Sequence, residues 1–298
     1  MKKLISIVSV IMLSAAIITP SAFAETNSGV VNEKLGVPVV VYGANLTEDQ
    51  KASVKDSLKV SDGDDVEEII VDGNDLVKYV KDGNSNSRMF SSAKITRKDA
   101  GKGLVIQIVT PDNITEVTSE MYMNAMLTAG IEDATVLIAA PKPVTGHSAL
   151  VGIYKAYEVN GEKLDTERTD VANDELSVAT TLSESVDDAK VSELLTEIKR
   201  QIAEQNPVSK EEVEAIVNEQ LNKLQIELSP EDRQLLIDLM DRIRQLDIDF
   251  SKWSDQLNDL SKTIEDKITE LANDEGFWKK VKDFFTNLID SVRSIFGN

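Results

Sequence analysis

Residues 38–50, with the sequence PVVVYGANLTEDQ, decide how the fold begins. Pro38 to Tyr42 is a run of β-branched and apolar residues, which is typical of a β-strand. Gly43-Ala44-Asn45 then favours a turn, and Thr47 precedes two acidic residues as the N-cap of a helix does. The stretch therefore predicts a strand that leads directly into a helix.

Alternating strand and helix signals continue to about residue 160. The further strands and helices expected in this part are Val66–Val71, Asp75–Val80, Thr118–Ala129, Ala134–Ala140 and about His147–Val159. Met89–Arg97 and Gly103–Thr110 flank a polar, glycine-containing segment, and this pattern predicts a β-hairpin. Gly130 is expected to end the helix that Thr118 caps. Together these signals indicate an α/β domain with a mixed sheet at 37–160.

The strand signal disappears after Gly161, and successive amphipathic helices are expected to the end of the chain. Breaks are predicted at Asn206-Pro207, at Ser229-Pro230 and around 273–276, with Ser209 and Ser229 as helix starts. Residues 161–275 carry 13 basic and 30 acidic residues. The predicted fold class is therefore α+β: an N-terminal mixed-sheet α/β domain, then an acidic all-α helical bundle at 161–275 with a C-terminal amphipathic helix at 276–298.

Composition excludes several functional classes. The chain of 298 residues has 52 acidic and 32 basic residues, for a net charge of −20, which makes it a poor partner for nucleic acids. It has no Cys and one His, so disulfides, thiol catalysis, zinc thiolate sites and multi-histidine metal sites are excluded. Hydrophobic residues make up 41%, enough for a real core. No cofactor is expected.

The first 24 residues resemble a secretory signal peptide. Lys2 and Lys3 give a basic start, residues 4–18 are almost entirely apolar, and Ala22-Phe23-Ala24 is a small-x-small cleavage site. We expect cleavage after Ala24 and a flexible mature N-terminus at 25–36; an uncleaved membrane anchor is the alternative. No later apolar run is long enough for a second transmembrane span. The sequence therefore predicts a secreted, extracellular protein.

Three patterns could carry chemistry, and each departs from its template. Gly146-His147-Ser148-Ala149-Leu150 resembles a nucleophile elbow, but Leu150 stands where a small residue is needed and His147 adjoins the serine it would have to activate. The loop that starts at Asp82 has oxygen ligands for Ca²⁺ but lacks the glycine and the glutamate of a calcium loop, and the acidic residues at 62–68 form a surface cluster of the kind that binds cations weakly. We therefore predict no catalytic, cofactor-binding or metal-ligating residue.

The last segment is chemically unlike the rest of the chain. Its apolar residues recur at three- and four-residue steps, with Lys and Arg on the other side, which is typical of an amphipathic helix. Such a helix can pack in the bundle, contact an anionic membrane or another partner, or mediate self-association. The residues of the possible membrane or partner contact are Phe277, Trp278, Val281, Phe284, Phe285, Leu288, Ile289, Val292, Ile295 and Phe296.

Several strings of sequence resemble the YpuA-like family of secreted bacterial proteins, which is known only as a domain of unknown function. The resemblance is carried by residues 39–48, by 91–95, by 121–131 with its Thr-Ala-Gly-Ile end, by 139–141 and by 146–158 with its Lys-Ala-Tyr-Glu end. Asp247-Ile248-Asp249-Phe250 extends it into the helical part. The resemblance implies an exported, envelope-associated protein, and it carries over no functional residues.

These observations favour a non-enzymatic binding module at the bacterial cell surface. Its expected partner is a protein, the cell wall or a membrane surface, and the sequence leaves the oligomeric state open. The alternative is an enzyme that acts on cell-wall polymers through carboxylates or a bound cation. A cleft with converging acidic residues would favour the enzyme, and an apolar groove or patch would favour binding.

Overall fold

The computed structural model describes residues 35–249, 257, 258, 260–262 and 264. Its strands are β1 (Val39–Gly43), β2 (Glu67–Val71), β3 (Ser92–Arg97), β4 (Leu104–Ile108) and β5 (Ala134–Ala139). Its helices are α1 (Glu48–Ser57), α2 (Gly73–Tyr79), α3 (Ser119–Ala129), α4 (Ser148–Val159), α5 (Thr166–Ser183), α6 (Asp188–Gln205), α7 (Lys210–Leu224) and α8 (Pro230–Gln245). The leader and the segment 276–298 lie outside the described residues.

The five strands form one mixed sheet in the order β2-β1-β3-β5-β4. β1 runs parallel to β2, and β4 runs parallel to β5. β3 lies between these two pairs and is antiparallel to both of its neighbours. The predicted α+β class with a mixed sheet is confirmed.

The predicted hairpin between β3 and β4 is wrong, because β5 lies between these strands. Val136 of β5 is opposite Ile95 of β3 on one side and opposite Ile106 of β4 on the other. The carboxylate of Asp133, just before β5, accepts hydrogen bonds from the backbone N–H groups of Gly101 and Gly103 at 3.1 and 2.7 Å. This side chain ties the connecting turn to the start of β5, which pairs with β3 on one side and with β4 on the other.

The helix starts follow the predicted capping residues. The Thr47 hydroxyl accepts a hydrogen bond from the Gln50 N–H, and the Gln50 side chain accepts one from the Thr47 N–H, completing a capping box. Thr118 caps α3, and Gly130 ends that helix with a φ of 90°. Ser209 and Ser229 cap α7 and α8. Local hydrogen bonding therefore sets most element boundaries.

The alternating side chains of β1 place it between two layers of helix. Val40 and Tyr42 face α1 and pack with the buried residues Val54 and Leu58. Val39 and Val41 face the other side and belong to the main core, where α4 packs on β1, β2 and β3. A strand buried on both faces is expected to be continuously apolar, as VVVY is.

The later helices share the main hydrophobic core with the sheet. Helix α5 packs on α3, and α5, α6, α7 and α8 pack successively on one another. Buried residues of all these helices belong to the same cluster as β1 and β5. None of the helices in the described part of the chain has the length and apolar content that a bilayer span needs. The boundary near residue 160 stays a prediction.

A fully buried ion pair lies where α3, α5 and α6 meet. Lys199 and Glu175 have side chains that are 0% and 1% exposed, with the ammonium 2.7 Å from the carboxylate. The Lys199 ammonium also donates to the backbone carbonyl of Asn124 at 2.9 Å, and the Thr128 hydroxyl donates to the carboxylate of Glu175. Burial lowers the pKa of Lys199, and the charge of Glu175 opposes that change. The network fixes how the three helices pack.

We expect Lys199→Met to lower the free energy of unfolding by about 3–5 kcal/mol, because it leaves the Glu175 carboxylate buried without a counter-charge. Urea unfolding followed by circular dichroism measures this loss. Lys190→Met is the control, since Lys190 is an exposed residue of the same helix. The double variant Lys199→Met/Glu175→Leu should recover part of the stability. Equal midpoints for Lys199→Met and Lys190→Met would contradict the assigned role.

Candidate functional site

The candidate site is an open pocket of about 480 Å³ at one edge of the sheet. At this edge β1 and β5 end and β3 begins, as the pairing of Ala139 with Ser92 requires. The pocket lies between the segments 87–90 and 144–148, with α2, α4 and α5 around it. Ligands of open α/β sheets commonly bind outside the carboxyl ends of the strands. Its position is therefore that of a binding site.

The pocket combines an apolar wall with a polar rim. The apolar residues that line it are Leu76, Met89, Phe90, Val144 and Val151. The polar side chains are those of Ser87, Arg88, Thr145, His147, Ser148 and Asn173. Small-molecule sites usually have this composition, in which apolar surface supplies affinity and a few polar groups set orientation.

One wall of the pocket is held by close backbone packing. A Cβ atom on Gly43 would lie 2.4 Å from the Met89 carbonyl oxygen, so only glycine lets this segment approach the end of β1. The Asn45 side-chain oxygen accepts a hydrogen bond from the Met89 N–H at 2.7 Å, and the Asn45 N–H donates to the Met89 carbonyl at 3.1 Å. This wall is therefore pre-formed.

The opposite wall depends on Gly146 and Tyr122. Gly146 has a φ of +107°, in the region that favours glycine. The buried Tyr122 hydroxyl donates a hydrogen bond to the Gly146 carbonyl at 2.6 Å. A Cβ atom on Gly146 would lie 2.7 Å from that hydroxyl and 2.8 Å from the Ile114 side chain. Helix α3 thus sets the shape of the turn before α4.

His147 and Ser148 lie in this pocket, but the structure does not join them as a base and a nucleophile. His147 Nδ1 lies 3.2 Å from Thr145 Oγ1, and no hydrogen bond links the imidazole to Ser148 within the described residues. Burial lowers the pKa of His147, and the charge of Glu116 acts in the opposite direction. Burial therefore favours the neutral imidazole. This form can donate one hydrogen bond to a ligand and accept another.

Two cations lie over the ring of Phe90 at the pocket. The Lys142 ammonium is 3.7 Å from the ring centroid, and the Arg88 guanidinium carbon is 5.9 Å from it. Neither cation forms a salt bridge with any residue in the described part of the chain. No sequence pattern marks these three residues, because an Arg two positions before a Phe belongs to no binding motif. Only the fold brings Lys142 to Arg88 and Phe90.

The two acidic loops considered for Ca²⁺ make local contacts. The Asp64 carboxylate accepts a hydrogen bond from the Ser61 N–H at 2.8 Å, and Asp62 pairs with Lys55. In the other loop the Asn84 side chain accepts from the Asn86 N–H at 2.9 Å. Among the described residues, no three His, Cys, Asp or Glu residues are grouped as metal ligands would be.

The ten residues predicted as a membrane or partner contact, from Phe277 to Phe296, all lie outside the described residues. That prediction therefore stays a prediction.

Comparison with known proteins identifies one family and one relative. The family described as "Protein of unknown function (DUF1002)" matches residues 42–260. The uncharacterized protein YpuA of Bacillus subtilis (strain 168) is 33% identical over 269 residues, which cover 88% of this chain and 90% of that protein. No solved structure matches. The family match extends over the sheet, the pocket and the helices α5 to α8.

We expect Gly146→Ala to destabilise the chain more than Gly63→Ala. Both glycines have positive φ, at +107° and +95°, so both substitutions cost backbone strain. Only the Cβ at residue 146 meets other atoms, whereas nothing lies within 4 Å of one at Gly63. The difference in the free energy of unfolding should be about 1–3 kcal/mol by urea titration. Similar values for both variants would mean that Tyr122 does not constrain the turn.

Proposed function

The chain belongs to the DUF1002 family of proteins of unknown function, and we propose that it is an exported protein that binds a ligand in the bacterial cell envelope. The proposed binding site is the pocket between residues 87–90 and 144–148. The pocket is the observation that supports binding, because apolar surface and hydrogen-bonding groups converge there at the end of the sheet.

Export is supported by the pattern of the first 24 residues, a basic start followed by an apolar run and the Ala22-Phe23-Ala24 cleavage site. The bacterial origin of the relative and its similarity along most of both chains agree with this proposal. We also propose that residues 161–275 form an acidic helical bundle and that residues 276–298 form an amphipathic helix. Through that helix the protein would contact a membrane surface, the wall or a protein partner.

An enzyme that acts on wall polymers is the alternative. Carboxylates converge at a second, smaller pocket of about 250 Å³, which Glu132, Asp133 and Glu162 line. There Asp133 already accepts hydrogen bonds from the Gly101 and Gly103 N–H groups, and Glu162 pairs with Arg97. Hydrolysis of a glycosidic bond normally uses two carboxylic acids that face each other across a cleft. The residues that line the proposed binding pocket between 87–90 and 144–148 include no carboxylate. Ser148 has no hydrogen bond to His147, the histidine beside it. Binding therefore fits the lining better than hydrolysis does.

Deletion of residues 2–24 should retain the protein in the cytoplasm, because the deletion removes the proposed export signal. The full chain should appear outside the cytoplasmic membrane with the mass of residues 25–298. Fractionation of producing cells, followed by mass spectrometry, measures both outcomes. A chain truncated after Asp274 is the second arm, and its folding is checked by circular dichroism. If the folded truncation moves from the membrane fraction to the medium, the last helix is an interfacial anchor.

Recovery of the full-length mass in the membrane fraction would instead indicate an uncleaved anchor. Equal amounts of the deletion variant and the full chain outside the cell would contradict the proposed signal peptide.

Ligand binding is tested with a low-molecular-weight extract of the cell envelope. We expect the extract to raise the melting temperature of residues 25–298 by at least about 2 °C, because a ligand that binds only the native state stabilises it. Ser148→Trp fills the pocket and should abolish the rise. Ser53→Trp is the control, since Ser53 is exposed on α1. Chromatography of the same extract distinguishes binding from catalysis, because an enzyme would consume a component and release a product.

A further inference from the structure

We propose that the pocket binds small molecules in which a single carboxylate or phosphate group is attached to an apolar body. This inference rests on the proposed function, since it specifies the ligand of the same pocket. It follows from the charge of the lining, from the two cations at Phe90, from the start of α4 and from the apolar wall.

The charge of the lining is opposite to that of the chain. Acidic residues outnumber basic ones by 52 to 32 in the sequence. Among the described residues that line the pocket there is no carboxylate, and Arg88 is the charged side chain. Burial lowers the pKa of His147 and so disfavours a charged imidazole, while the charge of Glu116 opposes that change. Arg88 therefore gives the lining a positive charge on an otherwise negative molecule.

Arg88 is suited to bind an oxyanion. Arg88 is exposed, its guanidinium carbon lies 5.9 Å from the centroid of the Phe90 ring, and it forms no salt bridge with a residue in the described ranges, so its N–H donors are available. A guanidinium presents parallel N–H groups that match the two oxygens of a carboxylate or phosphate. Lys142, 3.7 Å from the same ring, adds a second positive charge beside the pocket. The ring thus positions two cations without neutralising either.

The start of α4 adds to this positive charge. Ser148 is the first residue of this 12-residue helix and lines the pocket. No side chain caps this end of the helix. The Ala149 and Leu150 N–H groups donate to the Gly146 and His147 carbonyls at 3.0 and 3.2 Å, so the helix contributes mainly its dipole, which favours a negative charge near this end. The dipole supports the role of Arg88 and favours an anion near Ser148.

The apolar lining of the pocket indicates that the part of the ligand beyond its anionic group is apolar. Met89 is 1% exposed and Val151 is 1% exposed, and both face the pocket with the partly buried Leu76. The volume of about 480 Å³ falls within the roughly 300–1,000 Å³ of small-molecule sites. A free inorganic ion would leave most of this space unused. The shape therefore favours an anion with an apolar substituent.

The test uses three ring compounds of similar size: phenylacetate, phenyl phosphate and the uncharged phenylacetamide. Residues 25–298 are titrated with each compound, and the backbone amide signals of the pocket are followed by NMR. Arg88→Gln removes the proposed anion donor. Arg233→Gln is the matched control, because Arg233 is exposed on α8, far from the pocket lining in sequence, and its guanidinium donates a hydrogen bond to the Asn218 side chain at 3.4 Å. Both variants change the net charge equally.

We expect at least one of the two anions to bind at least about tenfold more tightly than phenylacetamide. Arg88→Gln should remove about tenfold of that affinity, as loss of a charged hydrogen bond does. Arg233→Gln should leave it unchanged. Tighter binding of phenyl phosphate than of phenylacetate would identify a phosphate ligand, and the opposite order would identify a carboxylate.

Two other outcomes overturn different parts of the argument. If all three compounds bind equally and Ser148→Trp blocks them, the charge preference is wrong and the pocket remains a binding site. If none binds, or if Ser148→Trp does not block binding, the proposed function fails together with the ligand class. An equal effect of Arg88→Gln and Arg233→Gln would show that only net charge matters and would reject the assigned role of Arg88.

Discussion

The buried pair of Lys199 and Glu175 is the interaction on which the arrangement of the helices depends. Two charges without access to water are tolerated only when each has partners in the right geometry. Their partners are the Asn124 carbonyl and the Thr128 hydroxyl of α3, so the pair binds α5 and α6 to α3 in one register. A purely apolar interface would allow α5 and α6 to shift along α3, whereas these directional hydrogen bonds fix their positions.

The helices that this ion pair joins also shape the pocket. Helix α3 carries Tyr122, whose hydroxyl holds the Gly146 carbonyl and so shapes the turn before α4. Helix α5 carries Asn173, two residues before Glu175, and the Asn173 side chain lines the pocket and donates a hydrogen bond to the Tyr154 hydroxyl at 3.4 Å. The pocket is therefore assembled from the sheet edge and from a helix that follows residue 160. The family match across both parts is consistent with a site that needs both.

The elements that could be predicted from the sequence are those set by local hydrogen bonds and side-chain periodicity. Thr47, Thr118 and Ser229 cap their helices where the sequence indicated, because a capping hydroxyl needs only the next three residues. The hairpin predicted between β3 and β4 is wrong because local signals do not determine which strands are neighbours in the sheet. Turn residues at 98–102 favour a hairpin locally, but Asp133, about thirty residues later, binds that turn and brings β5 between the two strands.

The candidate site could not be predicted from the sequence, because it too depends on contacts between residues that are far apart along the chain. Arg88, Phe90 and Lys142 are ordinary residues in sequence, and their arrangement exists only after β5 has placed residue 142 beside the segment before β3. The sequence of Gly146-His147-Ser148 resembles part of a catalytic motif, whereas the described structure places these residues in the lining of a pocket. The role of these residues depends on neighbours such as Tyr122 and Met89, which lie far from them in the sequence.

The contrast between the acidic surface and the positive pocket limits the size of the ligand. With a net charge of −20, the molecule repels extended polyanions, whose many charges would each lie near the surface. At physiological ionic strength this repulsion is screened beyond about 8 Å, so a ligand with a single anionic group experiences mainly the charges beside it. Near Ser148 these are the guanidinium of Arg88 and the positive end of α4, with the carboxylate of Glu116, whose charge acts on His147, opposing them. The protein can therefore reject long anionic polymers and still accept one small anion, which gives selectivity by charge distribution instead of by pocket shape alone.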